Sequence, residues 1–281
     1  MKHVWQDGRL IAPEDAHVAI ADRGLLLGDG LFETMAVYNS RAFDLDAHLE
    51  RLASGLGLLG FGQTVDIHKL RAGIAHYLAS EAASSAVLRV TVTRGAGPRG
   101  LAPPKAPRPA IFMTLAPMPP TREKPLSLHI ATVTRRNEHS ALSRVKALPY
   151  LDNVLALSEA RAHGADDALM LNTRGTIACA SVANVFAIRD GRLQTPPVSD
   201  GALPGTMRAL VLSLSEQAGL APVENSLDFS GLGEADHVFL TNSVSRVTEA
   251  RLCNGTLLQR RAGAAPDPLR GLIASRVEAG W

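Results

Sequence analysis

Lysine is scarce in this sequence. Five lysines stand against 24 arginines, so most of its basic side chains are guanidinium groups that do not deprotonate in proteins. Cysteine is scarcer still. Two, Cys179 and Cys253, are too few for a disulfide framework or for a zinc ribbon with its paired thiolates. Aromatic residues make up 4% of the chain, which argues against a stacking platform for single-stranded nucleic acid. Charge of one sign is also lacking: 29 basic and 27 acidic residues nearly cancel to a formal +2. That is no nucleic-acid footprint without a clustered basic stripe. The opening MKHVWQDGRLIAPEDA has no apolar stretch of the kind a secretory signal needs, and no later run approaches the roughly 18–20 apolar residues of a membrane span. These absences point to a soluble, cytoplasmic protein whose partners are neither nucleic acid nor membrane.

What is present has globular proportions, 46% hydrophobic and 20% charged over 281 residues, enough for two medium domains. The first half alternates helices and strands. Asp46 is expected to cap a helix through HLERLASGL, and Asp66 a second through IHKLRAGIAHYLASEAA. Strands are expected at 86–94 and 110–117, where apolar or β-branched residues alternate. Residues 118–124 lie in the proline-rich stretch APMPPTREKP and form the expected linker between domains at 1–117 and 125–281. Beyond it come a strand at 126–133, a helix at 149–164, a strand in DDALMLN and a hairpin-like pair turning at Asp190-Gly191. A helix from Pro204 to about Ala218, a strand in ADHVFLTN and a helical tail from Asp267 complete the pattern. This is a mixed α/β (α+β) fold of two domains.

Several motifs fail on context. GxGxxG occurs at Gly55–Gly60 and Gly95–Gly100, but the first ends a helix and the second is followed by LAPPKAPRP, which cannot begin one. The nine histidines show no HExxH or paired ligand spacing, so no metal site is expected. No GxSxG elbow or phosphate-binding Walker loop is present. Asn254-Gly-Thr matches a glycosylation sequon, which has no meaning without secretion.

Of the lysines, only Lys146 sits between a polar turn and a strongly apolar helix, among Val145, Ala147 and Leu148. Desolvation there lowers an amine's pKa from about 10.4, and a neutral amine attacks carbonyl carbon. Spacing alone favours a lysine extending its stem from a helix start.

Six segments in one order add to this reading: DRGLLLGDGLFETMAVYN (22–39), HLERL (48–52), VKALPYLDNVLA (145–156), GTIACASVANVF (175–186), LPGTMR (203–208) and LTNS (240–243). Together they resemble the fold-type IV, pyridoxal-phosphate-dependent class IV aminotransferases, a family that includes branched-chain and D-amino-acid aminotransferases and 4-amino-4-deoxychorismate lyase. The resemblance covers nearly the whole chain. It implies a homodimer with one pyridoxal 5′-phosphate per subunit between the domains. It assigns Lys146 as the catalytic, cofactor-bearing lysine of the C-terminal domain, and Arg51 as the guanidinium on the cofactor phosphate. Thr206, Met207 and Ser243 match further phosphate contacts at a helix start, and Tyr150 the tyrosine near the cofactor's phenolic oxygen. Arg99 falls where D-amino-acid aminotransferases hold the substrate carboxylate, and Thr34 lies in a segment leaning towards the lyase.

Two departures bear on activity. Cys179 stands where the family has the glutamate that pairs with the pyridine nitrogen, and a thiol cannot pin a pyridinium in the same way. Leu101 stands where D-specific relatives tend to have histidine. The resemblance therefore implies first an aminotransferase moving an amino group from an α-amino acid to a 2-oxo acid. The alternative is a pyruvate-releasing lyase forming 4-aminobenzoate, favoured by LTNS, the Arg99-Gly100 pair and Thr34. A third reading is a cofactor-binding protein with weak catalysis.

Overall fold

The computed structural model describes residues 2–122, 124–252 and 266–279. Cys253 and the sequon at Asn254 lie outside the described residues. The chain divides into two compact units, Met1–Pro119 with Val145–Pro149, and Pro120–Arg144 with Tyr150–Trp281.

The first unit holds strands β1 (Val4–Gln6), β2 (Arg9–Ile11), β3 (Gly30–Tyr38), β4 (Arg41–Ala42), β5 (Ser85–Thr93) and β6 (Ala110–Pro117). They form one antiparallel sheet in the order β2-β1-β6-β5-β3-β4. Three helices accompany it: α1 (Arg23–Leu27), α2 (Leu45–Leu58) and α3 (Ile67–Glu81). The expected strands at 86–94 and 110–117 are β5 and β6. In β5 the side chains of Ala86, Leu88, Val90 and Val92 are buried at every second position, the period that one covered sheet face requires. Leu49, Leu52 and Leu56 of α2 and Leu70, Ile74 and Leu78 of α3 join them in one core, each large side chain contributing about 1.5–3 kcal/mol. The long strand β3 was not legible by alternation, because GLFETMAVY is buried on both faces along most of its length.

The capping expectations divide. Asp66 caps α3, accepting from the backbone N–H groups of His68 at 3.0 Å and Lys69 at 3.1 Å. Asp46 does not cap α2. The N-cap is Asp44, in the left-handed region at φ 55°, and no side chain caps it. Asp46 lies instead in the first turn, where a carboxylate suits the helix dipole, and it pairs with Arg71 of α3.

The lysine segment groups with the first unit, not with the C-terminal chain in which it was expected. Strand β4 is two residues long and pairs with β3 only at Val37 and Tyr38, so the edge of β3 at Gly30–Phe32 is open to another partner. Residues 146–148 take that edge: Phe32 N–H donates to Lys146 C=O and Leu148 N–H to Gly30 C=O, both at 3.0 Å. Leu31 and Ala147 pair antiparallel. Glycine at position 30 permits the approach, since a Cβ there would lie 2.4 Å from the Val92 carbonyl oxygen and 2.7 Å from Leu148.

The second unit holds β7 (Leu126–Ile130), β8 (Asp167–Leu171), β9 (Ile177–Ala180), β10 (Asn184–Arg189), β11 (Arg192–Thr195), β12 (Ala221–Glu224), β13 (His237–Asn242) and β14 (Arg246–Leu252). Their order is β12-β11-β10-β13-β14-β7-β8-β9. The β11–β12, β14–β7 and β7–β8 pairs are parallel and the others antiparallel. Helices α4 (Leu151–Ala162), α5 (Thr206–Leu214), α6 (Phe229–Gly233) and α7 (Asp267–Ala279) complete the unit. The turn expected at Asp190-Gly191 joins β10 to β11, with positive φ at both residues as a tight hairpin needs. The strand expected to reach residue 133 stops at Ile130, and the N–H groups of Thr132 and Val133 go to the Glu159 carboxylate. The helix expected from Pro204 starts at Thr206, with Gly205 as its N-cap, and ends at Leu214. Among the described residues no helix is long and apolar enough to cross a membrane.

Candidate active site

In the first unit, Arg51 and His48 lie one turn apart on α2 and both face Glu33 of β3. Glu33 is 1% exposed. Arg51 donates through Nε to Glu33 Oε1 at 2.9 Å and through Nη2 to Oε2 at 2.6 Å, a bidentate pair, and His48 Nδ1 lies 2.6 Å from Oε2. Burial pushes the Glu33 carboxyl up, but His48 and Arg51 outweigh it and hold the pKa at about 2. Glu33 and His48 were not anticipated as site residues. Their signal was the three-residue step from His48 to Arg51 together with the lone acid in GLFETMAVY.

Lys146 shares this neighbourhood. Its Nζ lies 4.5 Å from the centre of the Phe32 ring, over which the Arg89 guanidinium also stacks at 3.9 Å. The Lys146 pKa is lowered to about 8, first by burial and then by the Arg51 charge, with Arg89 adding to the effect and Glu33 opposing it. This is the amine that the scarcity of lysine singled out. Thr34 sits on the same face of β3 as Phe32, two residues on, and pairs with Arg89 in register. Arg99 lies apart from this cluster in sequence and is exposed, in the loop between β5 and β6.

In the second unit, Thr206 Oγ1 and Ser243 Oγ lie 3.1 Å apart. Thr206 and Met207 open α5, whose N-terminus has no side-chain cap and no acid in its first turn. Such an end presents backbone N–H groups and positive potential to an anion. Gly205 lets the Asn184 side chain pack against the helix start, since a Cβ there would meet Asn184 Oδ1 at 2.1 Å. Thr241, two residues before Ser243, has a buried hydroxyl with no hydrogen-bond partner. Met207 is itself buried, so its contribution to such a cradle is through its backbone. Tyr150 occupies the N-cap position of α4 and is half-buried.

Cys179 lies on β9 opposite Met170, buried among the alanines 131, 156, 160, 165, 168 and 178. Burial pushes its thiol pKa up; the Arg136 charge opposes this and Asp167 adds to it. The thiol is therefore neutral at physiological pH. Asp167, also buried, has its own pKa raised by desolvation and accepts from the hydroxyl of Ser181. Among the described residues no group of three or more His, Cys, Asp or Glu is arranged to hold a metal ion.

A lysine tuned for carbonyl chemistry and a helix start open to an anion are the equipment of enzymes that work through a phosphorylated aldehyde cofactor. Residues 30–253 match the model of amino-transferase class IV, and the chain belongs to that family, whose enzymes depend on pyridoxal phosphate. It is 31% identical over 259 residues to a candidate branched-chain-amino-acid aminotransferase of Methanocaldococcus jannaschii, covering 92% of this chain and 90% of that one. Its fold is similar to the solved branched-chain amino acid aminotransferase of Escherichia coli, with a TM-score of 0.89, 26% identity, and coverage of 98% and 93% of the two chains. It is also similar to 4-amino-4-deoxychorismate lyase from Pseudomonas aeruginosa, with a TM-score of 0.85, 29% identity and coverage of 99% and 100%.

The residues present fit the cofactor at two of its three ends. Within the first unit the Lys146 amine has the chemistry for an aldehyde, and within the second the α5 N-terminus has the chemistry for a phosphate. Cys179, the residue expected at the ring nitrogen, is a buried neutral thiol and would offer such a nitrogen no charge.

Proposed function

We propose that this enzyme holds pyridoxal phosphate on Lys146 and transfers an amino group from an α-amino acid to a 2-oxo acid. The observation that carries the reading is the Lys146 amine, held on the edge of β3 beside Arg51 with its pKa lowered to about 8. Near neutral pH a usable fraction of that amine is unprotonated. It can accept a proton at Nζ and return it, which is the work of a general base and acid between neighbouring carbons. Arg51, fixed by Glu33, would bind the phosphate with a defined edge of its guanidinium, and Thr206, Met207 and Ser243 would contribute hydroxyl and backbone donors. When bound, pyridoxal phosphate supplies the electron sink for chemistry at the substrate Cα. Tyr150 would hydrogen-bond the cofactor's phenolic oxygen, Cys179 would face its ring nitrogen, and Arg99 and Thr34 would serve the substrate.

The similarity to branched-chain aminotransferases favours an aliphatic amino acid as donor. We also propose a homodimer. Ile20, Leu25 and Leu26 near α1 are more than 60% exposed, apolar side chains that a second copy would cover. Both substrates are metabolites of the cytoplasm, where we place the enzyme. The lyase reading is favoured by the 29% identity to the Pseudomonas enzyme. One experiment separates them: conversion of bound pyridoxal phosphate to pyridoxamine phosphate on adding amino acids, set against 4-aminobenzoate release from aminodeoxychorismate. Release of 4-aminobenzoate without amine exchange would overturn the aminotransferase reading.

A further inference from the structure

The loop between β5 and β6 carries Arg99 and Leu101 with their side chains in solvent, Leu101 being 83% exposed. Its tip therefore gains little order from apolar burial of its own. Its backbone is held by Arg23, the first residue of α1, which is 5% exposed. Arg23 Nη1 donates to the carbonyls of Gly100 at 3.0 Å and Ala102 at 3.2 Å, and Nη2 to that of Leu101 at 2.9 Å. Its Nε donates to Asp29 Oδ2 at 2.8 Å. Asp29 also accepts from Arg94 Nε, and Arg94 is itself anchored on the carbonyls of Leu59 and Gly60. The stem of the loop is tied to the same place: Arg23 N–H donates to Gly95 C=O at 2.9 Å and Gly97 N–H to Ala21 C=O at 3.1 Å.

A buried guanidinium is costly unless its donors are satisfied, and here they are spent on three consecutive carbonyls directly after Arg99. That arrangement fixes the direction in which the Arg99 side chain leaves the backbone. An arginine presented from an ordered backbone binds an anion with less loss of freedom than one on a mobile loop.

We propose that Arg23 is a positioning residue for substrate recognition: it orders the backbone that presents Arg99 to the carboxylate of the substrate. The proposal rests on the reading of this enzyme as an aminotransferase whose substrate carboxylate is taken by Arg99. Arg23 touches neither substrate nor cofactor in this role.

The test uses the holoenzyme of Arg23→Lys, which keeps the charge opposite Asp29 but not the fork, with Arg23→Gln as a second variant. The first readout needs no catalysis. Trypsin cleavage of the Arg99–Gly100 bond, followed by mass spectrometry, should accelerate about tenfold as the loop opens more often, while cleavage after Arg174 in the other unit stays unchanged. In steady-state assays KM for the amino acid should rise about tenfold with kcat within about twofold, the signature of lost binding without lost chemistry. The double variant Arg23→Lys with Arg99→Met should have the KM of Arg99→Met alone, because the two act through one contact. Unchanged cleavage, multiplying KM penalties, an unaffected KM in Arg99→Met, or equal losses in kcat and KM with a lowered melting temperature would each overturn the proposal. Faster cleavage in a protein that exchanges no amine at all would leave the loop clamp standing and remove the catalytic reading instead.

Discussion

Glu33 and Arg51 are joined by two hydrogen bonds, 2.9 Å and 2.6 Å, between a strand of the first sheet and the helix that covers it. The pair locks a long side chain at two of its nitrogens, and His48 closes the other side of the carboxylate. The guanidinium proposed to bind phosphate is therefore built into the wall of the unit before any ligand arrives.

Arg51→Ala should weaken retention of pyridoxal phosphate far more than Ser243→Ala, since charge-assisted hydrogen bonds are about twice as strong as neutral ones. Glu33→Gln, which keeps the shape but loses the charge that orients Arg51, should fall between them. Dialysis followed by measurement of residual visible absorbance ranks the three. Equal and negligible losses would show that the phosphate lies elsewhere.

Glu33 should also govern acid stability. Its pKa falls from 4.5 to about 2 on folding, so the folded state favours the carboxylate. The stabilisation is full above pH 4.5 and is lost as pH falls towards 2, on the order of 3 kcal/mol for a buried group with this shift. Thermal melts of wild type should therefore drop steeply through that window. Those of Glu33→Gln should start lower at neutral pH and fall less steeply. Parallel curves would count against the ion pair as the source.

Purified protein with pyridoxal phosphate should be yellow, and borohydride should fix the label on Lys146. The Lys146→Met variant should hold the cofactor without a covalent link. The same substitution has a signature in the apo protein. Folding lowers the Lys146 pKa from 10.5 to about 8, so its charged form is disfavoured in the folded state. That penalty is full below pH 8 and is relieved between pH 8 and 10.5, because the unfolded chain then holds a proton the folded one has shed. Lys146→Met should melt higher than wild type at pH 7, and the advantage should vanish near pH 10.5. A constant difference across this range would place the amine in a well-solvated setting.

Cys179→Glu tests the third end of the cofactor. If position 179 faces the ring nitrogen, a carboxylate restores a charged partner, and stopped-flow spectra with one amino donor should show faster half-reaction. If it does not, glutamate becomes an unpaired charge among alanines, and the melting temperature drops with spectrum and rate unchanged.

The sequence by itself determined whatever depends on neighbours in the chain. Alternation marked β5 and β6, Asp66 marked the start of α3, and Asp190-Gly191 marked the turn into β11, because each signal is a local steric or hydrogen-bond preference. Six motifs in register, and a lysine conspicuous for its rarity, pointed to the family. Only the tertiary structure decided where those residues go. No local rule reveals that Glu33 takes Arg51 and His48, since the pairing spans 18 and 15 residues and a change of element. Likewise Lys146 follows a linker and precedes a C-terminal helix, yet it belongs to the first unit. The unpaired edge that β4 leaves on β3 draws residues 146–148 into backbone hydrogen bonds, and a sheet edge satisfied in this way is visible only once the sheet exists.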